Sequence, residues 1–384
     1  MIIDREEMDR GHFVGRVWRP DVQGPAVVAL RRGRVVDITS RETPTMRDLL
    51  EQDDPVSLVD SVAGEDLGSL DVIAAASIER ASTDRLHLIA PCDLQAIKAC
   101  GVTFARSMIE RVIEEKAAGE PARAAAIRER VAAIIGDSLR NLVPGSPEAA
   151  DVKAALIEEG LWSQYLEVGI GPDAEVFTKA QPMSSVGWGA SIGIHPISQW
   201  NNPEPEVVLA VDSRGRVKGA TLGNDVNLRD VEGRSALLLG KAKDNNASCA
   251  IGPFIRLFDD AYGIEEVRLA ELELLVEGED GFALEGRSSM KEISRDPLDL
   301  VSQTRSRHHQ YPDGFVLFLG TLFAPIEDRD APGQGFTHKV GDVVKISNPQ
   351  LGTLQNTVRF CNDCPEWTFG SGALMRNLAV RGLI

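Results

Sequence analysis

Three acidic residues, Glu204, Glu206 and Asp225, have types and a spacing that could hold a metal ion. Glu204 and Glu206 are two residues apart, so on an extended strand they project from the same face. Gly215 can supply the positive φ of a two-residue hairpin loop, and a loop of Arg214 and Gly215 pairs Glu204 with Asp225. Side chains on paired residues share a face, so the three carboxylates are predicted to converge. A three-residue loop would instead place Asp225 on the other face.

A cluster of like charges is costly unless a cation lies among its members. Carboxylate oxygens suit a hard divalent ion, so the pattern predicts Mg²⁺, with Mn²⁺ or Ca²⁺ as alternatives. The other interpretation is an acidic surface hairpin whose carboxylates are solvated. The third carboxylate in register, with basic Arg229 and Lys241 in the same segment, favours the metal site.

At these positions the sequence resembles the fumarylacetoacetate hydrolase superfamily. The resemblance lies in four separated elements in the family's order: Glu204-Pro205-Glu206, Gly223-Asn224-Asp225-Val226, Arg229-Asp230 and Leu239-Gly240-Lys241. It implies that Glu204, Glu206 and Asp225 are Mg²⁺ ligands. It also implies that Lys241 is an active-site lysine.

A second motif of that family is altered in this chain. Residues 101–110, GVTFARSMIE, resemble the family's Gly-x-Asn-Tyr-x-x-His-x-x-Glu segment, in which the His and Glu activate water or move protons. The glutamate is retained as Glu110, whereas Ser107 occupies the histidine position. A serine hydroxyl has no pKa near neutrality and cannot replace imidazole as a base without help. The change argues against hydrolysis of a carbon–carbon bond.

The resemblance also indicates residues that bind the substrate. Lys179 ends a segment similar to the family's Phe-x-Lys-Pro, whose lysine often lies near the active site. Thr321 lies in a turn similar to the family's Thr-Gly-Thr-Pro, which implies a hydrogen bond to the substrate carboxylate. Arg106, Ser107 and Arg229 are the remaining candidates for holding substrate oxygens.

Within the superfamily the chain is similar to the sugar-acid branch of 2-keto-3-deoxypentonate dehydratases, through segments 101–107, 291–297 and 317–325. The implied reaction is Mg²⁺-dependent dehydration of a 2-keto-3-deoxy-pentonate, of xylonate or arabinonate type, to 2-oxoglutarate semialdehyde in non-phosphorylative pentose catabolism. The ion would stabilise the enolate formed when a C3 proton leaves. Glu110 and Lys241 would share the acid and base roles.

Three other functions stay open at this point. Two are enzymatic: a hydrolase that cleaves a carbon–carbon bond of a 2,4-diketo-3-deoxy sugar acid, and a 2-oxo acid decarboxylase. Both would need another residue to do the work of the missing histidine. The third is a non-catalytic module that binds a metal ion or senses a sugar acid.

The order of the predicted elements indicates two domains of the α+β class. Residues 1–84 read as a small α+β domain with a hairpin at Arg32-Gly33 and a helix over Thr45 to Gln52. Residues 85–384 form the catalytic domain. For it the resemblance implies the fumarylacetoacetate-hydrolase-like fold, a rolled mixed β-sandwich closed around the metal.

Composition limits the partners and the compartment. The net charge of −17 over 384 residues argues against non-specific binding to nucleic acid or an anionic membrane. No secretory signal and no run of about 18 apolar residues is visible. Five scattered cysteines, an odd number, fit a reducing cytoplasm, and Cys361 with Cys364 is a weak metal signal. The expected partner is a small 2-oxo sugar acid, and the family expectation is a homodimer or homotetramer.

Overall fold

A computed structural model of the protein describes residues 2–78, 84–104, 129, 142–323, 327–330 and 335–384. Three residues predicted at the site, Arg106, Ser107 and Glu110, lie outside these ranges. Elements are numbered in chain order within the described part.

Sixteen strands are described. They are β1 Phe13–Arg19, β2 Gly24–Arg31, β3 Arg34–Asp37, β4 Glu65–Ser69, β5 His87–Ile89, β6 Ala96–Gly101, β7 Glu175–Ala180, β8 Ser191–Ile194, β9 Pro205–Val211, β10 Val217–Asp225, β11 Cys249–Leu257, β12 Glu271–Glu277, β13 Ala283–Ser289, β14 Phe315–Phe318, β15 Val343–Asn348 and β16 Gly352–Phe360.

Eleven α-helices are described, most of them short. They are α1 Arg5–Arg10, α2 Met46–Glu51, α3 Pro55–Ser61, α4 Leu70–Ile78, α5 Pro147–Glu158, α6 Gln164–Ile170, α7 Arg229–Glu232, α8 Leu239–Lys243, α9 Ile264–Arg268, α10 Pro297–Thr304 and α11 Ser371–Val380. None of these helices has the length and apolar character needed to cross a lipid bilayer.

The strands form two sheets. The large sheet has 11 strands, in the order β4-β3-β2-β1-β11-β10-β9-β14-β6-β7, with β5 paired to β1. The small sheet has five strands, in the order β13-β12-β15-β16-β8. Most pairs are antiparallel, whereas β14 with β6 and β16 with β8 are parallel. Mixed sheets with helices around them agree with the predicted α+β class.

The two faces of β9 belong to different cores, because successive side chains of a strand point to opposite faces. Val207 and Leu209 pack in the core that the large sheet shares with the small one. Val208 packs with Phe318 of β14, Ala180 of β7 and other residues in a second cluster. Three strands, β9, β14 and β6, separate β7 from β10 in the large sheet. Lys179 Nζ of β7 nevertheless lies 2.8 Å from Asp225 Oδ1 at the end of β10, so this part of the large sheet is rolled.

The hairpin between β9 and β10 has a longer loop than predicted. The Asp212 N–H donates to the Arg216 carbonyl at 3.0 Å, and the Gly215 N–H donates to the Asp212 carbonyl at 3.0 Å. Gly215 has a φ of +84°, a conformation that glycine adopts without steric cost. Three residues, 213–215, therefore make the loop, and the predicted two-residue loop is wrong.

A bulge in β10 restores the predicted pairing. The register shifts by one residue between Val217 and Gly219, and this extra residue offsets the longer loop. The Asp225 N–H consequently donates to the Glu204 carbonyl at 3.0 Å. The predicted pairing of Glu204 with Asp225 is confirmed. It depends on the bulge in β10, which the turn residues alone did not predict.

The hairpin and the helix predicted near the N-terminus are both present in the structure. Arg32 and Gly33 connect β2 and β3 with φ values of +50° and +74°. The Thr45 side chain accepts a hydrogen bond from the Asp48 N–H at the start of α2. Through pairing of β1 with β11 these N-terminal strands extend the large sheet. The division of the chain at residue 84 stays a prediction.

Candidate metal centre

The three predicted carboxylates converge. Glu204 directly precedes β9, Glu206 lies in β9 and Asp225 ends β10. One ligand oxygen from each lies within 4.8 Å of the other two. Their exposed fractions are 6%, 2% and 2%, so the cluster is buried rather than a solvated acidic surface.

Two buried ammonium groups compensate part of the charge. Lys243 Nζ, in α8, donates to Glu204 Oε2 at 2.5 Å and to Asp225 Oδ2 at 3.0 Å. Lys179 Nζ, in β7, lies 2.8 Å from Asp225 Oδ1 and has no exposed surface. The Lys179 ammonium also donates to the Val226 carbonyl at 3.1 Å. Because Lys179 reaches Asp225 across the rolled sheet, the fold itself brings this cation to the carboxylate.

The pKa values of the carboxyl groups differ according to these cations. Burial opposes ionisation of Asp225, but Lys179 and Lys243 outweigh it and lower the pKa of Asp225 below its ordinary value. Burial raises the pKa of Glu206 well above its ordinary value, and the charges of Asp225 and Glu204 raise it further. Burial would lower the pKa of Lys243, but Asp225 and Glu204 raise it above its ordinary value.

Glu206 is held by a backbone donor instead of a cation. Its Oε2 accepts a hydrogen bond of 2.6 Å from the Gly320 N–H. No ion pair to Glu206 is present among the residues that the structure describes. Gly320 has a φ of +90°, and a Cβ added there would lie 2.1 Å from Thr103 Oγ1. A residue with a side chain at position 320 therefore requires a shift of Thr103 or of the backbone that carries the donor to Glu206.

We expect Gly320→Ala to lower both stability and metal affinity. An alanine at this φ costs about 1–2 kcal/mol before the clash with Thr103 is counted. Relief of the clash shifts the N–H that holds Glu206. The measurement is the midpoint of thermal unfolding of the metal-stripped protein, with and without Mg²⁺.

Gly314→Ala is a matched control at the other end of β14. Gly314 has a φ of +69°, and an added Cβ would lie 2.4 Å from the Val211 carbonyl oxygen. This variant should be destabilised to a similar degree, yet it should keep the wild-type rise in Tm on adding Mg²⁺. An equal Mg²⁺ response in both variants would refute the assigned role of Gly320.

Lys241, the predicted active-site lysine, points away from the three carboxylates. It is exposed, and its Nζ is 3.0 Å from His195 Nε2. Lys241 and Lys243 both belong to α8, and residues two apart on a helix point about 200° from each other. The structure therefore brings Lys243 to the carboxylates in place of Lys241.

The other predicted residues have different positions. Lys179 lies at the site, but its ammonium contacts Asp225 and backbone carbonyls. Thr321 follows Gly320 directly, and its Oγ1 accepts the Phe323 N–H at 3.1 Å. The Arg229 guanidinium stacks on the Trp200 ring at 4.5 Å from the ring centroid. The substrate-binding roles of Lys179, Thr321 and Arg229 stay predictions.

Three residues at the site were missed by the sequence interpretation: Lys243, Asn227 and Gly320. Lys243 belongs to a Lys-Ala-Lys triplet, and only the phase of a short helix distinguishes its two lysines. Asn227 donates to Glu204 Oε1 at 3.1 Å. No sequence signal indicates the partner of the Gly320 N–H, because this contact joins separate elements of the fold. Asn227 pairs with Asn202 in the same register that pairs Asp225 with Glu204, so that register could have placed it near Glu204.

The donor set fits a hard divalent cation. All three side chains offer oxygen, the ligand that Mg²⁺ and Ca²⁺ take in proteins. The three carboxylates outnumber the two ammonium groups that contact them, and the buried Glu206 has the weakest compensation. A divalent ion would supply the missing positive charge.

Comparison with known proteins agrees with this interpretation. The family model of the fumarylacetoacetate (FAA) hydrolase C-terminal domain matches residues 172–359, and these residues belong to that family. The match includes Lys179, the three carboxylates, Lys243 and Thr321. The resemblance stated from the motifs is thereby confirmed.

Two curated relatives are named as dehydratases. The chain is 29% identical to a probable 2-keto-3-deoxyxylonate dehydratase of Haloferax volcanii over 256 residues. The aligned region covers 67% of this chain and 84% of that relative. It is 31% identical to a 2-dehydro-3-deoxy-D-arabinonate dehydratase of Saccharolobus solfataricus over 185 residues. This aligned region covers 48% of this chain and 58% of that relative.

Solved structures show the same fold. A 2-keto-3-deoxy-D-arabinonate dehydratase complexed with magnesium and 2,5-dioxopentanoate has a TM-score of 0.62 at 20% identity, over 91% of this chain and 99% of that chain. A fumarylacetoacetate hydrolase from psychrophilic Exiguobacterium antarcticum has a TM-score of 0.54 at 18% identity, over the same shares. The predicted fumarylacetoacetate-hydrolase-like fold is thereby confirmed.

Proposed function

We propose that the protein is a lyase that removes water from a 2-keto-3-deoxy-pentonate of xylonate or arabinonate type and yields 2-oxoglutarate semialdehyde. The observation that carries the proposal is the buried cluster of three carboxylates with an ammonium group between two of them. The two curated dehydratases support the choice of substrate class.

The cofactor in this proposal is Mg²⁺, held by Glu204, Glu206 and Asp225. Bound there, the ion supplies Lewis acidity toward the oxygens of a 2-oxo acid, which favours loss of a C3 proton. Lys179 and Lys243 hold Asp225 from two sides, and the Gly320 N–H holds Glu206. These contacts keep the carboxylates in place before any ligand arrives.

Lys243 takes the place of Lys241 as the proposed active-site lysine. Its ammonium contacts Glu204 and Asp225, so it can also donate a hydrogen bond to a substrate oxygen bound at the same spot. Glu110 remains the proposed partner in proton transfer, with Arg106, Ser107, Arg229 and Thr321 as proposed contacts of the sugar acid. The proposed setting is the cytoplasm, and the proposed assembly is a homodimer or homotetramer.

Product identification tests this function. The metal-stripped protein is incubated with 2-keto-3-deoxy-pentonates of both C4 configurations, and separately with a 2,4-diketo-3-deoxy sugar acid, with and without Mg²⁺. The products are followed by NMR. We expect 2-oxoglutarate semialdehyde only when Mg²⁺ is present. Release of pyruvate and a second acid from a 2,4-diketo-3-deoxy sugar acid would instead identify a hydrolase.

A further inference from the structure

Asn227 lies between two carboxylates beside the metal centre. Its Nδ2 donates to Glu204 Oε1 at 3.1 Å and to Glu232 Oε2 at 2.6 Å. Ionised carboxylates accept hydrogen bonds and donate none, so the amide nitrogen, not the amide oxygen, must face them. The chemistry of the two neighbours thus fixes the orientation of the amide.

The backbone of Asn227 is fixed as well. Its N–H donates to the Asn202 carbonyl at 3.1 Å, and the Asn202 N–H donates to the Asn227 carbonyl at 3.1 Å. The side chain of Asn227 has no exposed surface. Its Oδ1 is buried without a hydrogen-bond partner in the described part of the chain. Asn227 Nδ2 thus makes two hydrogen bonds to carboxylates, although Asn227 Oδ1 makes none in the described part of the chain.

The bond from Asn227 completes the contacts of Glu204. One oxygen of Glu204 accepts from Asn227, and the other accepts from Lys243 at 2.5 Å. A carboxylate with different donors on its two oxygens cannot rotate without breaking one bond. Without Asn227, Glu204 Oε1 would lose its described donor, and the carboxylate could rotate while Oε2 stays bonded to the Lys243 ammonium.

We propose that Asn227 is a positioning residue that orients Glu204 for the divalent cation, with Glu232 anchoring the amide from the opposite side. Glu232 ends α7, the helix that begins at Arg229, so the amide also joins the metal ligand to that helix. The inference rests on one part of the proposed function, the role of Glu204 as a ligand of the cation.

The test is calorimetric titration of Mg²⁺ into the metal-stripped full-length protein. Loss of a group that orients a metal ligand typically weakens metal binding by about 10–100-fold, and we expect this for Asn227→Ala. Asn227→Ser keeps one donor and should give an intermediate Kd. Asn202→Ala is the matched control, because Asn202 is 3% exposed and its side-chain amide donates to the Pro203 carbonyl at 3.0 Å rather than to a carboxylate.

The inference is supported if the Kd rises in the order wild type, Asn227→Ser, Asn227→Ala while Asn202→Ala keeps the wild-type Kd. A wild-type Kd in Asn227→Ala, or an equal loss in Asn202→Ala, overturns it. If Asn227→Ala does not fold, a wild-type Kd in Asn227→Ser overturns it and a raised Kd supports it. Wild-type protein that binds Mg²⁺ without dehydrating any 2-keto-3-deoxy-pentonate overturns the proposed function alone, since the Kd series still decides the role of Asn227.

Discussion

Lys243→Met is expected to lower the turnover of the 2-keto-3-deoxy-pentonate by at least ~10²-fold, the lower end for loss of an acid–base group. Methionine has a similar length but carries no charge and no donor. The variant loses the two hydrogen bonds to Glu204 and Asp225, as well as the proposed bond to the substrate. The measurement is the steady-state kcat at saturating Mg²⁺, followed through the semialdehyde.

Lys241→Met is the matched control for this prediction. The same change two residues earlier removes an exposed ammonium group whose described partner is His195. This variant should turn over substrate at close to the wild-type rate. If Lys241→Met is the impaired variant and Lys243→Met is active, the assignment from the structure is wrong and the assignment from the motif is right.

Asp225→Asn is expected to abolish Mg²⁺ binding and to destabilise the protein. Lys179 has no exposed surface, and Asp225 is its described carboxylate partner at 2.8 Å. Breaking a buried pair by removing one partner typically costs about 3–5 kcal/mol, because the remaining charge is left uncompensated. Chemical denaturation of the metal-stripped protein measures the loss of stability.

Glu206→Gln should also abolish Mg²⁺ binding, yet it should stabilise the metal-stripped protein. Glutamine can still accept the Gly320 N–H, and the change removes a buried charge that repels Glu204 and Asp225. The two variants should therefore shift the free energy of unfolding in opposite directions. A loss of stability in both variants would contradict the account of how the cluster is compensated.

The sequence was sufficient to predict the carboxylate cluster because its geometry depends on local rules. The period of two along a strand places Glu204 and Glu206 on one face, and the hairpin register brings Asp225 opposite Glu204. The loop is longer than predicted, but a bulge of one residue in β10 offsets it. The longer loop and the bulge thus offset each other and leave Asp225 opposite Glu204.

The contacts that complete the site could not be predicted in the same way. Lys179 and Gly320 reach the carboxylates from outside the β9–β10 hairpin, and their positions depend on how the large sheet rolls. The choice of Lys243 over Lys241 depends on the phase of α8, a helix of five residues that is too short for a periodic pattern.

Anomalous diffraction from crystals soaked in Mn²⁺ tests the central claim most directly. The predicted result is a single strong peak among the carboxylate oxygens of Glu204, Glu206 and Asp225, with Lys243 beside it. No peak at that position in fully soaked crystals, or a peak bound by other residues, would contradict the claim that these three side chains hold the divalent cation.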